Sequence, residues 1–506
     1  MIGGWRRRDR KFRCVKQGSL LGTETVFMLP VRDRRAARAG VRAAIVAMKS
    51  RNGDGAKGPQ GSGNVIDHTT ENKPAAVSEA AKQAGETRSR WDWVEPSVWT
   101  ERMLTALEQG VKGGKWFSLV DKVYNLQNLR SGFEKVKANG GAAGVDHQTI
   151  EMFESQLDEN LERLARSLKE GSYRPQAIKR VWIPKAGSKE KRPLGIPTVR
   201  DRVVQTALRN VLEPIFERDF AEQSYGFRPN RGCKDALRRV SDLLARGNTW
   251  VVDADLKSYF DTIPHAPLIE KVEEKVSDGA VIAMLKSYLK QNVMEAMERW
   301  IPEEGTPQGA IISPLLSNIY LDALDHEMER QGIEMVRYAD DFVILCQSEA
   351  EAKETLERVR QWTGKAGLTL HPNKTRIVDA TQKGGFDFLG YHFERNMRWP
   401  REKSLRKFKD TIRAETHRTN GNSLRTIIEN VNRRTIGWFG YFKHSHIITH
   451  VSLDGWLRMR LRSILRRRSG LHGRGRGSDH PRWPNAFFSE RGLFSLVCAH
   501  AQARQS

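Results

Sequence analysis

The spacing of apolar residues along the chain changes character at Trp91. Trp91, Trp93, Trp99, Met103 and Leu107 lead into helical spacing, and Leu157, Leu161 and Leu164 continue it within 133–164. Recurrence every three to four positions marks a helix that buries one face. Between Arg180 and Pro197 the period shortens: Val181, Trp182 and Ile183, a polar run over 185–192, then Leu194 and Ile196 predict strand, turn and strand. From Arg200 to Phe220, Val203, Val204, Leu208, Val211, Leu212 and Ile215 return to a helical stripe. Strands are expected again at Trp250–Leu256 and Met335–Leu345, with helices between and after. Two periods interleaved in one stretch predict an α+β body. Three helices are expected after residue 400, marked by Phe408 and Ile412, by Leu424, Ile427, Ile428 and Val431, and by Leu453, Leu457, Leu461, Ile464 and Leu465.

Residues 1–90 show no such period. Glycine recurs at every second or third place over Arg51–Gly63, and the segment is expected to be a basic, disordered extension in which Met28 and Met48 are alternative starts. The expected organisation is therefore an extension over 1–90, a mixed body over 91–395, a helical unit over 396–470 and a basic tail over 471–506.

A chain of 506 residues exceeds what one hydrophobic core holds, and 39% hydrophobic content is enough to fold it. No run approaches the roughly 20 apolar residues of a membrane span, and no secretory leader is evident, so a cytoplasmic protein without a membrane partner is expected. Cys14, Cys233, Cys346 and Cys498 never form a CxxC pair, which excludes a disulfide framework and a cysteine-rich zinc module. The net charge of +24 is unevenly placed: residues 1–50 carry 13 Lys and Arg against 3 Asp and Glu, and residues 401–506 carry 22 against 7. A near-neutral middle with basic ends is the pattern of a protein that grips a polyanion away from its central chemistry.

That chemistry centres on Val336-Arg337-Tyr338-Ala339-Asp340-Asp341-Phe342-Val343-Ile344-Leu345, two apolar strands meeting at adjacent carboxylates. Such carboxylates repel each other, a cost that usually implies a divalent cation. Upstream, Trp250 to Asp261 is a second apolar strand ending in carboxylates. Antiparallel pairing of the two would bring a third carboxylate beside Asp340 and Asp341, a set suited to two cations that activate a 3′-hydroxyl and stabilise a leaving pyrophosphate. Asp253 and Asp255, two apart on one strand, share a face; the strand-end position favours Asp255, leaving Asp253 as a supporting or surface carboxylate and Asp261 pointing elsewhere or into the next turn.

These motifs, in this order, resemble the reverse transcriptases, and specifically the group II intron reverse transcriptase and maturase family. Asp255 with Phe260 five residues on resembles the first metal motif and its gate. Gly305-Thr306-Pro307-Gln308-Gly309 with Ser313 to Asn318 resembles the template- and nucleotide-positioning motif, and Gly367-Leu368 to Thr375 and Phe388-Leu389-Gly390-Tyr391 the two that follow the paired carboxylates. Ile183-Pro184-Lys185, Lys191 to Pro197 and Ser224 to Pro229 are similar to finger motifs, and Gly437 to Phe442 with the arginine-rich helix to the thumb and maturase region. The likeness spans roughly 91–500. It implies a right-hand polymerase with a helical thumb that copies RNA into DNA with two Mg²⁺ held by Asp255, Asp340 and Asp341. It also implies that Phe260 walls off a ribose 2′-hydroxyl, that Gln308 positions the nucleotide, and that intron RNA, an RNA template with a DNA primer or target, and dNTPs are the partners. Lys185 and Arg192 bracket a polar turn whose charge suits an incoming triphosphate, the alternative being an exposed basic hairpin.

On the last helix Arg458, Arg460, Arg462, Arg466, Arg467 and Arg468 have no acidic partner after Asp454. A nucleic-acid face contacting RNA through Arg458, Arg462 and Arg466 is therefore expected, against the alternative of a solvated surface. His446 and His450 are four apart, but no third ligand accompanies them, and chance spacing is the favoured reading. Only Cys498 follows Cys346, unlike members carrying an HNH endonuclease, and His480 to Phe488 resembles the ending of endonuclease-lacking members. Two other functions stay open: an RNA-binding splicing cofactor with an idle palm, and a retron-type or defence-associated reverse transcriptase.

Overall fold

The computed structural model describes residues 90–111, 113–184, 191–295 and 298–504. The N-terminal extension and Lys185 lie outside the described residues.

Helices come first, at α1 (Glu101–Gln109), α2 (Leu126–Asn139) and α3 (Leu157–Lys169). A sheet follows in which β1 (Ile178–Pro184) pairs antiparallel with β2 (Lys191–Ile196), as the apolar-polar-apolar run predicts, and parallel with β4 (Val293–Glu295), which in turn pairs with β5 (Glu298–Trp300). Helix α4 (Val199–Glu217) is capped by Thr198, whose side chain accepts from the Asp201 amide. It is buried on nearly every face, so its apolar stripe is wrapped rather than half-solvated.

The second sheet has the strand order β6-β7-β3-β8, all antiparallel, from β3 (Trp250–Asp255), β6 (Met335–Tyr338), β7 (Asp341–Cys346) and β8 (Arg376–Asp379). Helices α5 (Cys233–Ala245), α6 (Tyr259–Thr262), α7 (His265–Glu273), α8 (Gly279–Leu289), α9 (Ser313–Arg330) and α10 (Glu349–Lys365) accompany it. Val251, Val252, Ala254, Val336, Val343, Ile344 and Leu345 are all buried, which explains why these strands read as continuous apolar runs. A third sheet, β9 (Phe386–Phe388), β10 (Tyr391–Glu394) and β11 (Met397–Pro400), joins this palm to the helices that follow, with the Tyr391 ring tilted against Phe442 at 5.0 Å between centroids.

A fully buried charged pair lies in the core of the palm. The guanidinium of Arg337 is fully buried and donates from Nε to Asp325 Oδ1 at 2.7 Å, and from Nη1 to Asn318 Oδ1 and to the carbonyl of Ala339, both at 3.0 Å. Asn318 in turn donates to the carbonyl of Gly226 at 2.8 Å. The arginine thus ties α9, the 224–228 hairpin and the turn between β6 and β7 into one unit.

The expected three helices form at α11 (Glu402–Glu415), α12 (Leu424–Phe442) and α13 (Ile447–Arg468), around Phe408, Ile412, Ile427, Ile428, Val431, Leu453, Leu457, Leu461 and Ile464. Two expectations about this unit need correction. Residues 471–504 do not form a tail. Phe488 and Leu496 enter the same core, and α14 (Leu496–Ala503) begins where Asp454 on α13 accepts from the amides of Leu496 and Val497. Nor do Arg458, Arg462 and Arg466 present a free phosphate-binding face. Arg462 is 2% exposed and donates to the Trp483 carbonyl and to Asn485, both at 2.8 Å. Arg466 pairs with Asp479 at 3.1 Å, and Arg458 lies 3.8 Å from Asp454 one turn away. The acidic partner missing from the helix itself arrives with the C-terminal segment. His446 caps α13 and packs at a tilt against Trp399, whereas His450 is buried against Phe439 and His500.

Removing one partner of the buried pair strands a charge, so Asp325→Ala should cost about 3–5 kcal/mol in urea unfolding. A loss under about 1 kcal/mol would show that the pair does not hold the palm. Arg462→Gln should lower stability by about 1–3 kcal/mol through its lost buried hydrogen bonds. Faster limited proteolysis after residue 470 would identify where the loss occurs.

Candidate active site

Strand register assembles the site. Asp255 at the end of β3 pairs across the ladder with Asp341, the first residue of β7, and Asp340 sits in the adjoining turn. Ala339, next to it, holds a left-handed φ of +61°, which turns the chain sharply enough to present both aspartates at the strand ends. Gly226 packs against this turn so closely that a Cβ there would overlap the Ala339 amide. Beyond Asp255 the chain crosses Ser258, at φ +51°, and enters α6 with Phe260 at its second position.

Electrostatics mark the carboxylates as a strained set. Burial, reinforced by Asp253, Asp340 and Asp255, pushes the Asp341 carboxyl up to about 7. Burial likewise raises Asp340, with Asp255 adding to it. Lys374, from the loop before β8, donates to Asp255 Oδ2 at 2.6 Å. Asp253 is engaged differently: Arg376, its cross-strand neighbour on β8, donates to it at 3.1 Å. The two rivals on one strand face are thus separated by their partners, Asp253 by an arginine and Asp255 by its place opposite Asp341.

A cleft of about 200 Å³ opens beside these strand ends, lined in part by Arg180, Phe260, Asp261, Gly305, Thr306 and Gln308. Its floor is the 305–309 loop, whose glycines allow two close approaches: Gly305 against the backbone of Asp261, and Gly309 against the carbonyl of Gly195 on β2. The loop is pinned from both sides, since Thr306 N donates to the Phe260 carbonyl and Gly195 N to the Gln308 carbonyl, both at 2.6 Å. Phe260 and Gln308 therefore share one cavity. Arg192 does not line it. Its side chain is exposed one residue from Pro193, which does. Asp261, expected to turn elsewhere, faces the cleft, because the loop folds back onto α6. Arg180 was missed from the sequence. It projects from β1 beneath Trp182 and Trp300, at 5.6 and 5.0 Å from their rings, and acts on Asp261. Its signal was the alternation along β1, which placed Arg180 and Trp182 on one face.

Among the described residues no three His, Cys, Asp or Glu side chains close a cation site unaided. The donor set nonetheless suits a hard cation: carboxylate oxygens whose mutual repulsion is relieved only in part, by one lysine. Mg²⁺ is commonly held by one or two carboxylates and completed by water and substrate phosphates, so Asp255, Asp340 and Asp341 fit that role with a nucleotide present.

A palm sheet bearing paired carboxylates, a second sheet across a cleft and a helical unit beyond it define the right-hand polymerases as a class. The family model described as reverse transcriptase (RNA-dependent DNA polymerase) matches residues 183–393, and that of the group II intron, maturase-specific domain matches 405–479. The chain belongs to the group II intron reverse transcriptase and maturase family. It is 32% identical over 348 residues to Protein YkfC of Escherichia coli K12, covering 60% of this chain and 86% of that one. It is 39% identical over 195 residues to the group II intron-encoded protein LtrA of Lactococcus lactis subsp. cremoris, covering 38% of this chain and 32% of that one. A third relative, an uncharacterized 91 kDa protein in the cob intron of Schizosaccharomyces pombe, is 30% identical over 321 residues, 51% of this chain and 39% of that one. The family is generally Mg²⁺-dependent and RNA-binding. No described helix is long and apolar enough to cross a membrane.

The raised Asp341 carboxyl sets a pH dependence with a definite sign. Without metal the folded chain holds a proton there that an unfolded carboxyl, near 3.8, releases. The contribution of this carboxyl to stability is therefore full below that value and is lost as pH rises through about 7. In EDTA the wild type should lose melting temperature relative to Asp341→Asn as pH rises across this window. An equal slope in the variant would refute the assignment.

Proposed function

We propose that the protein copies RNA into DNA by nucleotidyl transfer with two Mg²⁺, and that it assists splicing of the group II intron that encodes it. The observation that carries this reading is the register of Asp255 against Asp341 beside the cleft that Phe260 and Gln308 share. Asp255, Asp340 and Asp341 are the residues that would hold the ions. Ions held there would supply the positive charge that lowers the pKa of a primer 3′-hydroxyl and offsets the charge of a leaving pyrophosphate.

The chain's own groups do the rest. Phe260 closes one wall of the cleft against a ribose 2′-hydroxyl and so favours dNTPs, while Gln308 and the pinned 305–309 loop orient the nucleotide against its template. Arg180 and Arg192 supply positive charge to the triphosphate from the β1–β2 hairpin, a role also assigned to Lys185 from the sequence. Lys374 balances Asp255 until the ions arrive. The substrates are an RNA template with a DNA primer or DNA target, and the site of action is the cytoplasm.

Primer extension on an RNA template should fall at least about 10³-fold for Asp340→Ala, as expected when a group needed only in the transition state is removed. Near-wild-type extension would sink the polymerase assignment. Splicing of the parent intron at low Mg²⁺ provides the second arm. Rescue by both wild type and Asp340→Ala would assign splicing to RNA binding alone, and rescue by neither would refute the maturase role.

A further inference from the structure

One large aromatic beside the site is used by none of the roles above. Phe227 is 42% exposed, yet its backbone is held at φ +59°, a left-handed conformation that is strained for a bulky side chain. Strain of this kind persists only where the surroundings over-determine it, and here they do. Tyr225 N donates to the Arg337 carbonyl at 2.8 Å, Asn318 binds the Gly226 carbonyl, and Gly226 abuts the Ala339 amide. On the other side Arg228 is buried and donates to both oxygens of Glu217 at 3.0 Å and to the carbonyls of Ser224 and Phe220 at 2.9 and 3.3 Å. Both neighbours of Phe227 are thus anchored, and the ring between them is delivered to a defined place.

That place lies between the gate and the catalytic turn. The Phe227 ring stands edge-on to Phe260, with centroids 6.5 Å apart at 76°, and 6.4 Å from Tyr338 at 45°. Tyr338 immediately precedes Ala339 and the paired aspartates. A T-shaped contact restricts the rotation of the ring it meets, and a wall that must exclude one hydroxyl is only as selective as its ring is fixed.

We infer that Phe227 is a positioning residue for sugar selection: it buttresses Phe260 from the strained hairpin and sets the gate's position relative to the carboxylate turn. This rests on the reading of Phe260 as the gate, and the test separates the two. The measurement is the ratio of kcat/KM for dATP over ATP in primer extension by the full chain, for Phe260→Ala, Phe227→Asn, their combination and Phe227→Tyr. Asparagine tolerates left-handed backbone, so Phe227→Asn removes the ring without disturbing the hairpin, and an unchanged melting temperature checks this. Phe227→Asn should lower the ratio by about 3- to 10-fold, the range that one aromatic contact commands. Phe227→Tyr should restore it, and the double variant should discriminate no worse than Phe260→Ala alone. If Phe260→Ala discriminates as wild type does, the gate reading falls and the buttress with it. If Phe260→Ala loses discrimination while Phe227→Asn keeps it, the gate stands and the buttress is refuted. Losses that add in the double variant would likewise overturn it, by placing Phe227 at a different contact.

Discussion

Asp255, Asp340 and Asp341 crowd together at the ends of two paired strands, with Asp253 close behind, and left to themselves such carboxylates would splay apart. What opposes this is a single buried guanidinium. Arg337 grips Asp325 on α9, donates to Asn318 and holds the turn between β6 and β7 by donating to the Ala339 carbonyl. A lysine would not serve, because three partners in different directions require the planar fork of donors that arginine presents. Through Asn318 and Gly226 the same group reaches the 224–228 segment, so the turn, that segment and α9 are joined by one connected set of contacts.

The cleft is built on a second principle, close backbone approach. Gly305 and Gly309 let the positioning loop lie against α6 on one side and β2 on the other, with short amide bonds across both contacts. Charge enters from β1, where Arg180 is held under two indole rings rather than left free in solvent.

In the helical unit, arginine performs two tasks that composition does not distinguish. Arg462 and Arg466 spend their donors on Trp483, Asn485 and Asp479, and so hold residues 471–504 against α13. Asp454 does the reciprocal work, accepting the first amides of α14. A basic segment that looks like a solvated tail is in consequence part of the core, with Phe488 and Leu496 fully buried.

The local pattern of the chain determined its elements: the strands at 250–255, 335–338 and 341–346, the paired strands β1 and β2, the helix after Thr198 and the three helices beyond residue 400 follow from side-chain periods that depend on near neighbours alone. It also determined which carboxylates belong together, because a two-residue period and an antiparallel ladder leave few pairings that bury the apolar faces. Contacts between residues far apart in sequence were decided only by the tertiary structure. That Arg462 faces a carbonyl rather than a phosphate depends on a segment some twenty residues on folding back. That Arg180 shares a cleft with Asp261 depends on β1 meeting a loop more than a hundred residues later. That Phe227 leans on Phe260 depends on Arg228 and Gly226 being anchored from opposite sides. Charge and exposure are properties of the assembled surroundings, and no window along the chain contains them.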